Sequence, residues 1–366
     1  MMKLSEEKFN NTNSAPVTRS SDRYLRYIAR KTLFLISCII LLFVMMIISV
    51  SVGTLSIPME EIVRSLVGLE SNYSNIVWHI RMPRVLAGIV AGASLAVAGA
   101  VMQSILKNPL ASPYTLGLSQ SAAFGAAFAI IFLGAGSAIS GTTGTVIVNN
   151  PYIVTIMAFV WALVGMTFIM ILSAMTRVSP EAMILAGVAI AAIFQAGTTA
   201  LQFFADSIQL SSIVYWTFGD IGRVTWSQCG VLIAIMIPTL AYFIYNRWNY
   251  NAMDAGEETA RGLGVDTGRM RIIGMILSSL LSAVVVSFMG IIGFIGLVAP
   301  HITRRVIGGD HRFLIPGSAL IGAILLMGSD TLARTIISPM VVPVGVITAF
   351  LGGPLFIYLL VKGYKK

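Results

Sequence analysis

The sequence predicts an all-α membrane protein that crosses the bilayer many times. Of its 366 residues, 57% are hydrophobic and 11% are charged, whereas an ordinary soluble domain carries about 25% charged residues. Long apolar runs recur along the whole chain, which excludes a single anchor or a cleaved signal peptide as their explanation. Lysine and arginine concentrate between these runs. We therefore expect a transmembrane domain at residues 33–366, preceded by a basic cytosolic arm at residues 1–32.

Eight apolar runs are each long enough to cross the hydrocarbon core, which takes roughly 20 helical residues. They cover residues 33–53, 84–106, 114–134, 152–175, 182–204, 229–246, 313–333 and 343–361. A further run at residues 272–300 contains Gly290, Gly293 and Gly296 and ends at Pro300. This run can form one long helix or two crossings.

The distribution of cations favours two crossings within this run. An even total keeps Lys362, Lys365 and Lys366 on the same side as the basic arm, as the positive-inside rule requires. The second crossing is then short, at about residues 291–300, and its glycine-broken backbone must be buried in protein. We expect ten transmembrane helices in a cell (inner) membrane, with both termini cytoplasmic. The net charge of +9 then reflects topology and predicts no nucleic-acid partner.

In this topology, 19 of the 24 lysines and arginines lie on the cytosolic side. The five on the outer side are Arg64, Arg81, Arg84, Arg223 and Arg334. Cations on the outer side run against the positive-inside rule, so these five arginines require a separate explanation.

Acidic residues are predicted at the membrane faces or at span ends, the latter being Glu181, Asp206 and Asp330. Ion-coupled carriers usually place a carboxylate inside their helices, because ionisable groups in lipid are costly and mark ion pathways. The energy for transport is therefore expected from a partner protein. An ion-coupled secondary transporter of a small organic solute is the alternative hypothesis.

Neither a metal site nor an intramembrane enzyme is expected. The histidines are predicted at interfaces as polar residues without a metal-ligand spacing, and they are His79, His301 and His311. Cys38 and Cys229 sit in or beside apolar runs and are expected to pack as small hydrophobic residues. No nucleophile and base are expected within reach of each other.

Seven short motifs occur in one order over nearly 300 residues. They are Arg81-Met82-Pro83-Arg84, Asn108 to Pro113, Leu185 to Val188, Tyr215-Trp216, Gly262 to Val265, Gly293 to His301 and Asp310-His311-Arg312. In this combination the chain resembles the FecCD family of ABC importer permeases. The resemblance implies the type II ABC importer permease fold with ten helices, in a homodimer or a pseudo-symmetric heterodimer. It says nothing about the basic arm.

The resemblance also implies partners and a substrate class. Two cytosolic ATPase subunits would bind ATP and Mg, and this chain would bind no cofactor and catalyse no reaction itself. An extracytoplasmic binding protein would deliver an iron chelate, with a ferric siderophore ahead of haem and cobalamin.

By the same resemblance, Arg81, Arg84 and Arg334 dock the binding protein through its glutamates. Arginine suits this role because its planar fork pairs with carboxylates in a fixed orientation. The alternatives are that these arginines anchor helix ends at the headgroups, or that Arg334 pairs with Asp330 one helical turn earlier. Arg64 and Arg223 are expected to be solvated.

The polar stretch at residues 249–271 is predicted to form two short helices at an angle, helical to about Arg261 and then broken by glycines. By resemblance it is the coupling loop that seats in the ATPase. Its contact residues would be Glu258, Ala260, Gly262, Leu263 and Gly264. The alternative is an ordinary solvated loop.

The fifth span carries polar residues at spacings of three and four, namely Gln195, Thr198, Thr199 and Gln202. They are expected to share one helix face, which lines the translocation path or, alternatively, makes interhelical hydrogen bonds. By resemblance, the cytosolic gates are marked by Asn108, Leu110 and Ser179, although Pro180 makes the match at Ser179 loose.

Overall fold

The computed structural model describes residues 17–364 except residues 54, 136, 140–145, 149 and 176–178. Its helices are α1 Val17–Ser51, α2 Met59–Val67, α3 Ser74–Ile76, α4 Met82–Ile105, α5 Leu118–Phe132, α6 Pro151–Met175, α7 Pro180–Phe204, α8 Ser207–Thr217, α9 Trp226–Tyr245, α10 Arg247–Asp254, α11 Glu257–Gly262, α12 Thr267–Met289, α13 Ile295–Ile307, α14 His311–Thr335 and α15 Val344–Tyr364. A π-turn at Val77–Arg81 leads into α4, and a 3-10 turn lies at Ile221–Arg223.

Helices occupy the positions of all the predicted spans. Within the described ranges, seven helical segments are long and apolar enough to cross a membrane: α1, the segment from α3 through α4, α6, α7, α9, α12 and α14. The other predicted spans correspond to α5, α13 and α15, which are shorter or less apolar. The helical, multi-pass prediction is confirmed, and the total of ten crossings stays a prediction.

The break within residues 272–300 is real, but its second helix lies further along the chain than predicted. Helix α12 ends at Met289, and Gly290 follows with a φ of +76°. Helix α13 begins at Ile295 and passes through Pro300, so the predicted end at that proline is wrong. A proline removes only one backbone hydrogen bond, and the two arginines in the last turn suit the helix dipole.

Helix α4 lies in the middle of the folded protein, where it packs on α14, α12, α13 and α9. A Cβ on Gly92 of α4 would lie 2.4 Å from the carbonyl oxygen of Gly322 in α14, so the two backbones touch. Gly99 meets Gly296 of α13 in the same way. Such small residues let helices approach closely where water cannot drive their association. The expected tight packing is thus observed.

Three features were not predicted. Helix α8 begins with a capping box, in which Asp206 accepts from the Gln209 backbone and Gln209 accepts from the Asp206 backbone. Strands β1 Ser137–Ile139 and β2 Val146–Val148 pair antiparallel, the exception to the all-α prediction in the described chain. Helix α1 begins at Val17, inside the predicted cytosolic arm, and residues 1–16 of that arm lie outside the described residues.

Candidate functional site

Asp330 lies at the centre of a charged group near the start of α4 and the end of α14, which the predicted topology places on the outer side. We call it the outer charge cluster, and its members are Arg81, Arg84, Asp220, Asp330 and Arg334. The Arg84 Nε lies 3.0 and 3.1 Å from the two carboxylate oxygens of Asp330, and its Nη2 lies 2.8 Å from Oδ1. The same Nη2 lies 3.3 Å from Oδ1 of Asp220. Arg84 therefore joins α4 to α14 by a fork-shaped ion pair.

Arg334 contacts the other side of Asp330 and also the end of α1. Its Nε lies 3.0 Å from Oδ2 of Asp330, an ion pair without hydrogen-bond alignment. Its Nη1 donates to the Val52 carbonyl at 2.9 Å, and its Nη2 donates to the Ser49 hydroxyl at 2.8 Å. The predicted pairing of Arg334 with Asp330 is therefore observed.

Arg81 contacts backbone rather than a carboxylate. It donates to the carbonyl of Ser51 at 2.8 Å and also to the carbonyls of Val50 and Leu55. These acceptors lie at the end of α1 and in the segment that follows it. Arg81 and Arg334 thus hold the end of α1 and the segment after it against α4 and α14.

The three arginines predicted to dock a binding protein are therefore engaged within the chain. Arg81 and Arg334 are each 6% exposed, and the Arg84 side chain is 14% exposed. Their docking role stays a prediction, and each has a structural role besides. The sequence analysis paired Asp330 with Arg334 as an alternative, but it did not identify Asp330 as a partner shared by Arg84 and Arg334, although a carboxylate within an apolar helix is costly enough to require one.

The two other outer arginines differ from each other. Arg64 is about half exposed and lies 3.6 Å from Glu61, as expected of a solvated residue. Arg223 donates to the Tyr215 carbonyl at 2.8 Å and stacks on the Tyr215 ring at 4.8 Å. Burial lowers the pKa of Arg223. The expectation that Arg223 is solvated is wrong, because a guanidinium also gains from an aromatic face.

The loop at residues 249–271, predicted to be cytosolic, forms two short helices, α10 and α11, as predicted. They are separated at Gly256, whose φ of +127° suits glycine, a break that was not predicted. The predicted break at Gly262 and Gly264 is also present, since α11 ends at Gly262 and Gly264 has a φ of +83° before α12 begins. Among the predicted ATPase contacts, Glu258, Gly262, Leu263 and Gly264 are exposed, and Leu263 is 70% exposed. Ala260 is fully buried in the core. It can anchor the loop but cannot form part of its surface.

Glu257 fixes α11 to the start of α12. Its carboxylate pairs with Arg261 at 2.7 Å and with Arg271 at 3.1 Å. Arg271, itself 3% exposed, also donates through Nε to the carbonyl of Ile105 at the end of α4. Burial alone raises the pKa of Glu257, but its bonds to Arg271, Thr267 and Arg261 hold the pKa below its usual value. The loop is therefore attached to the membrane helices by charged contacts.

His311 is buried within the protein at the start of α14, and its predicted location at the membrane interface stays a prediction. It is 1% exposed, begins α14 and packs its ring against Tyr250 with 5.5 Å between centroids. Its Nε2 lies 3.0 Å from Oδ2 of Asp254 in α10. The histidine can be buried because this carboxylate satisfies one ring nitrogen.

The polar stripe of α7 is split between two environments. Gln195 and Thr199 are exposed and Gln202 is partly buried, so these three can line a surface. Thr198 is 3% exposed and donates to the Phe194 carbonyl at 2.9 Å. Its assignment to the translocation path is wrong, because its hydroxyl is satisfied by its own helix and faces the chain interior.

The residues predicted as gates have local structural roles. The Asn108 side chain accepts from the backbone N–H of Leu110 at 2.8 Å, forming a turn after α4. Leu110 is 42% exposed. Ser179 is the N-cap of α7 and accepts from Ala182 at 3.1 Å, with Pro180 at the first helical position. Gating by these residues stays a prediction.

Among the described residues, no three of His, Cys, Asp and Glu are grouped so that they could hold a metal ion. Cys38 and Cys229 are both buried and unpaired with each other, in agreement with a packing role.

Comparison with known proteins gives this architecture a family. The model of the FecCD transport family matches residues 41–362. The chain belongs to the FecCD transport family. An ABC transporter permease protein of Methanocaldococcus jannaschii is 54% identical over 345 residues, covering 94% of this chain and 98% of the relative. The hemin transport system permease protein HmuU of Yersinia pestis is 36% identical over 328 residues, covering 88% and 94%.

A solved structure described as an inward-facing conformation of a metal-chelate type ABC transporter superposes with a TM-score of 0.77. It is 27% identical, and the match covers 90% of this chain and 98% of that one. This FecCD chain is therefore a multi-pass ABC transporter permease subunit, and the family favours it over the ion-coupled alternative.

Proposed function

We propose that this chain forms the transmembrane path of an importer that takes up an iron chelate at the expense of ATP hydrolysed by partner ATPases. The observation that carries the proposal is the shape of the cytosolic loop. Residues 262–264 form an exposed rim, and ion pairs hold the base of the loop in place. Leu263 projects from this rim, and nothing lies within 4 Å of the Cβ positions of Gly262 and Gly264. The base is held by Glu257 and Arg271. A surface that is exposed and firmly anchored suits the transfer of motion from a partner.

The partners are two cytosolic ATPase subunits, which bind ATP and Mg, and an extracytoplasmic binding protein. The outer charge cluster supports the second partner, since its three arginines exceed its two aspartates by one positive charge. Arg84 is the docking residue we favour because its side chain is 14% exposed, against 8% for that of Arg334, while Arg81 is 6% exposed as a residue. This arrangement puts both termini in the cytoplasm and the cluster outside the cell membrane.

A second permease subunit completes the path, and a second copy of this chain is the simplest candidate. Helix α7 supports this because it exposes large apolar residues beside its polar ones. Leu185, Ile193 and Phe203 are 70%, 63% and 82% exposed. The exposed Gln195 and Thr199 then line the path between the two copies.

The proposed substrate is a ferric siderophore, with haem and cobalamin next. Support comes from the hemin permease relative and from the metal-chelate transporter structure. Ion coupling is disfavoured, because the buried Asp330 is paired with the guanidinium groups of Arg84 and Arg334 and is therefore not a free carboxylate on an ion pathway.

Assembly with the ATPase tests the proposal. Leu263→Asp places a charge on the exposed rim, and we expect co-purification of the ATPase subunit to fall by about tenfold, typical of losing a buried apolar contact at an interface. Val63→Asp is the matched control, since Val63 is 51% exposed on the outer helix α2. Equal recovery of ATPase with the wild type, Leu263→Asp and Val63→Asp contradicts the proposed loop interface.

A further inference from the structure

Helix α10 of the cytosolic loop caps the beginning of α14. The Asn251 Oδ1 accepts from the backbone N–H of His311 at 2.8 Å, and its Nδ2 donates to Oδ1 of Asp310 at 3.1 Å. Asp310 is itself the N-cap of α14, accepting from Arg312 at 3.0 Å. The first turn of α14 therefore depends on a side chain of α10 for part of its capping.

Asp254, one turn after Tyr250 on α10, uses its two oxygens on two different helices. Its Oδ1 accepts from the Ser104 hydroxyl at the end of α4 at 2.6 Å. Its Oδ2 lies 3.0 Å from Nε2 of His311 at the start of α14. Ser104 and His311 are each 1% exposed. We call Ser104, Asn251, Asp254, Asp310 and His311 the α10 bracket.

The two helices joined by the bracket form one stiff unit. Gly92 and Gly322 bring the backbones of α4 and α14 into contact near their middles. Arg84 and Asp330 join the same two helices at the outer end. Helix α14 has 25 residues, so it spans about 38 Å at 1.5 Å per residue. A displacement at the cytosolic end is therefore passed along the unit to the outer charge cluster.

We propose that Asp254 is a positioning residue for energy coupling, which fastens the cytosolic loop to the α4–α14 unit so that both helices follow the loop together. The inference rests on the proposed ATP-driven import. Asp254 suits this role because one carboxylate holds both helices, whereas each other member of the bracket reaches only one of them. Packed helices switch between discrete arrangements, so a firm attachment decides whether loop movement becomes pore movement.

The test uses the complete transporter, with its ATPase and binding protein, in proteoliposomes. The probe is radioactive iron as a ferric hydroxamate chelate or as haemin, whichever the wild-type complex takes up. ATP hydrolysis and uptake are measured together, and the readout is chelate transported per ATP. A merely structural role lowers both rates with the amount of folded complex and leaves this ratio unchanged.

We expect Asp254→Leu to lower the ratio by about tenfold, as expected for losing hydrogen bonds to a charged group, while ATP hydrolysis continues. Asp254→Asn keeps hydrogen-bonding atoms at both positions and should restore most of the ratio. Glu181→Leu, at an exposed acid at the start of α7, is the control for loss of a cytosolic carboxylate. A wild-type ratio in Asp254→Leu overturns the inference.

If Asp254→Leu fails to assemble, Ser104→Ala removes only the attachment to α4, and a wild-type ratio in that variant also overturns the inference. A wild-type complex that shows no ATP-dependent uptake instead contradicts the proposed function itself. The two failures are therefore distinguishable.

Discussion

At the scale of single residues, Asp330 explains why the outer arginines can be buried. It is 3% exposed and contacts Arg84 and Arg334, which come from two different helices. The ion pairs offset the cost of burying this carboxylate. Removing one partner leaves a buried charge uncompensated, which typically lowers the free energy of unfolding by about 3–5 kcal/mol. Charge reversal at Arg84 would set a third carboxylate beside Asp330 and Asp220. That variant would therefore disturb folding as well as docking.

A balanced double variant separates docking from folding. Arg84→Gln with Asp220→Asn removes one cation and one acid and leaves the pair of Arg334 with Asp330 intact. We expect the binding protein to bind the purified permease about tenfold more weakly, because a charge-assisted pair is lost. The melting temperature should fall less than in a charge-reversal variant at Arg84, because Asp330 keeps Arg334 and no new carboxylate is added.

The measurement is binding-protein affinity in detergent or nanodiscs, with a thermal melt of the same samples. Arg64→Gln is the matched control, since Arg64 is about half exposed on α2 and pairs with Glu60 and Glu61 of its own helix. Unchanged affinity in the double variant shows that Arg84 serves packing alone.

Asp310 gives the beginning of α14 a pH-dependent stability. Burial by itself raises the pKa of Asp310, but bonds from Arg312 and Asn251 lower it to about 2. A carboxyl group whose folded pKa is depressed stabilises the fold above its unfolded pKa of about 3.9, and this contribution is lost as the pH falls towards 2.

Asp310→Asn should therefore lower the free energy of unfolding by about 2 kcal/mol at pH 7, and the difference from the wild type should shrink below about pH 4. Chemical unfolding of both proteins between pH 7 and pH 3 measures it. Glu60→Gln, at a side chain that is 81% exposed, is the control. A constant difference across this range contradicts the assigned ionisation.

At the scale of the helices, close backbone contacts determine which pairs move together. The crossing of α4 and α14 at Gly92 and Gly322 leaves no room for a side chain on either helix. The break at Gly290 to Phe294 instead separates α12 from α13. Its Gly290 would place a Cβ 2.3 Å from the carbonyl oxygen of Trp216, so the break is buried, as an irregular segment within a membrane protein must be.

Gly92→Val tests the crossing. The added side chain must push α14 away, and overpacking of a tight contact costs about 1–3 kcal/mol or more. We expect a lower melting temperature and weaker transport. Gly230→Ala in α9 is the matched control, because nothing lies within 4 Å of its added Cβ. If both variants melt like the wild type, the two backbones are not in contact.

At the scale of the whole molecule, the sequence predicts best what depends on local composition. Apolar runs place the helices because each must cover the hydrocarbon core, and the glycines at 290–296 mark the break because they interrupt such a run. The motif order predicts the family, which the match over residues 41–362 confirms. Start points such as Val17 were missed because polar residues can continue a helix beyond the membrane.

Partners distant in sequence could not be predicted in the same way. Arg84 and Asp330 are separated by 246 positions, and Ser104 and Asp254 by 150. Their pairing depends on how α4, α10 and α14 pack, which hydropathy does not determine. For the same reason Thr198 and Ala260 were assigned to surfaces although both are buried. Helical spacing gives the angle between two side chains around the helix axis. It does not show which face of the helix packs against the rest of the protein.

The proposed function requires that ATP, and not an ion gradient, drives this FecCD permease. The most direct measurement is uptake of radioactive iron chelate by proteoliposomes that contain the permease, its ATPase and the binding protein. We predict uptake that requires ATP on the ATPase side and persists when ionophores collapse proton and sodium gradients. Uptake that continues without nucleotide and stops when the gradients collapse contradicts the claim.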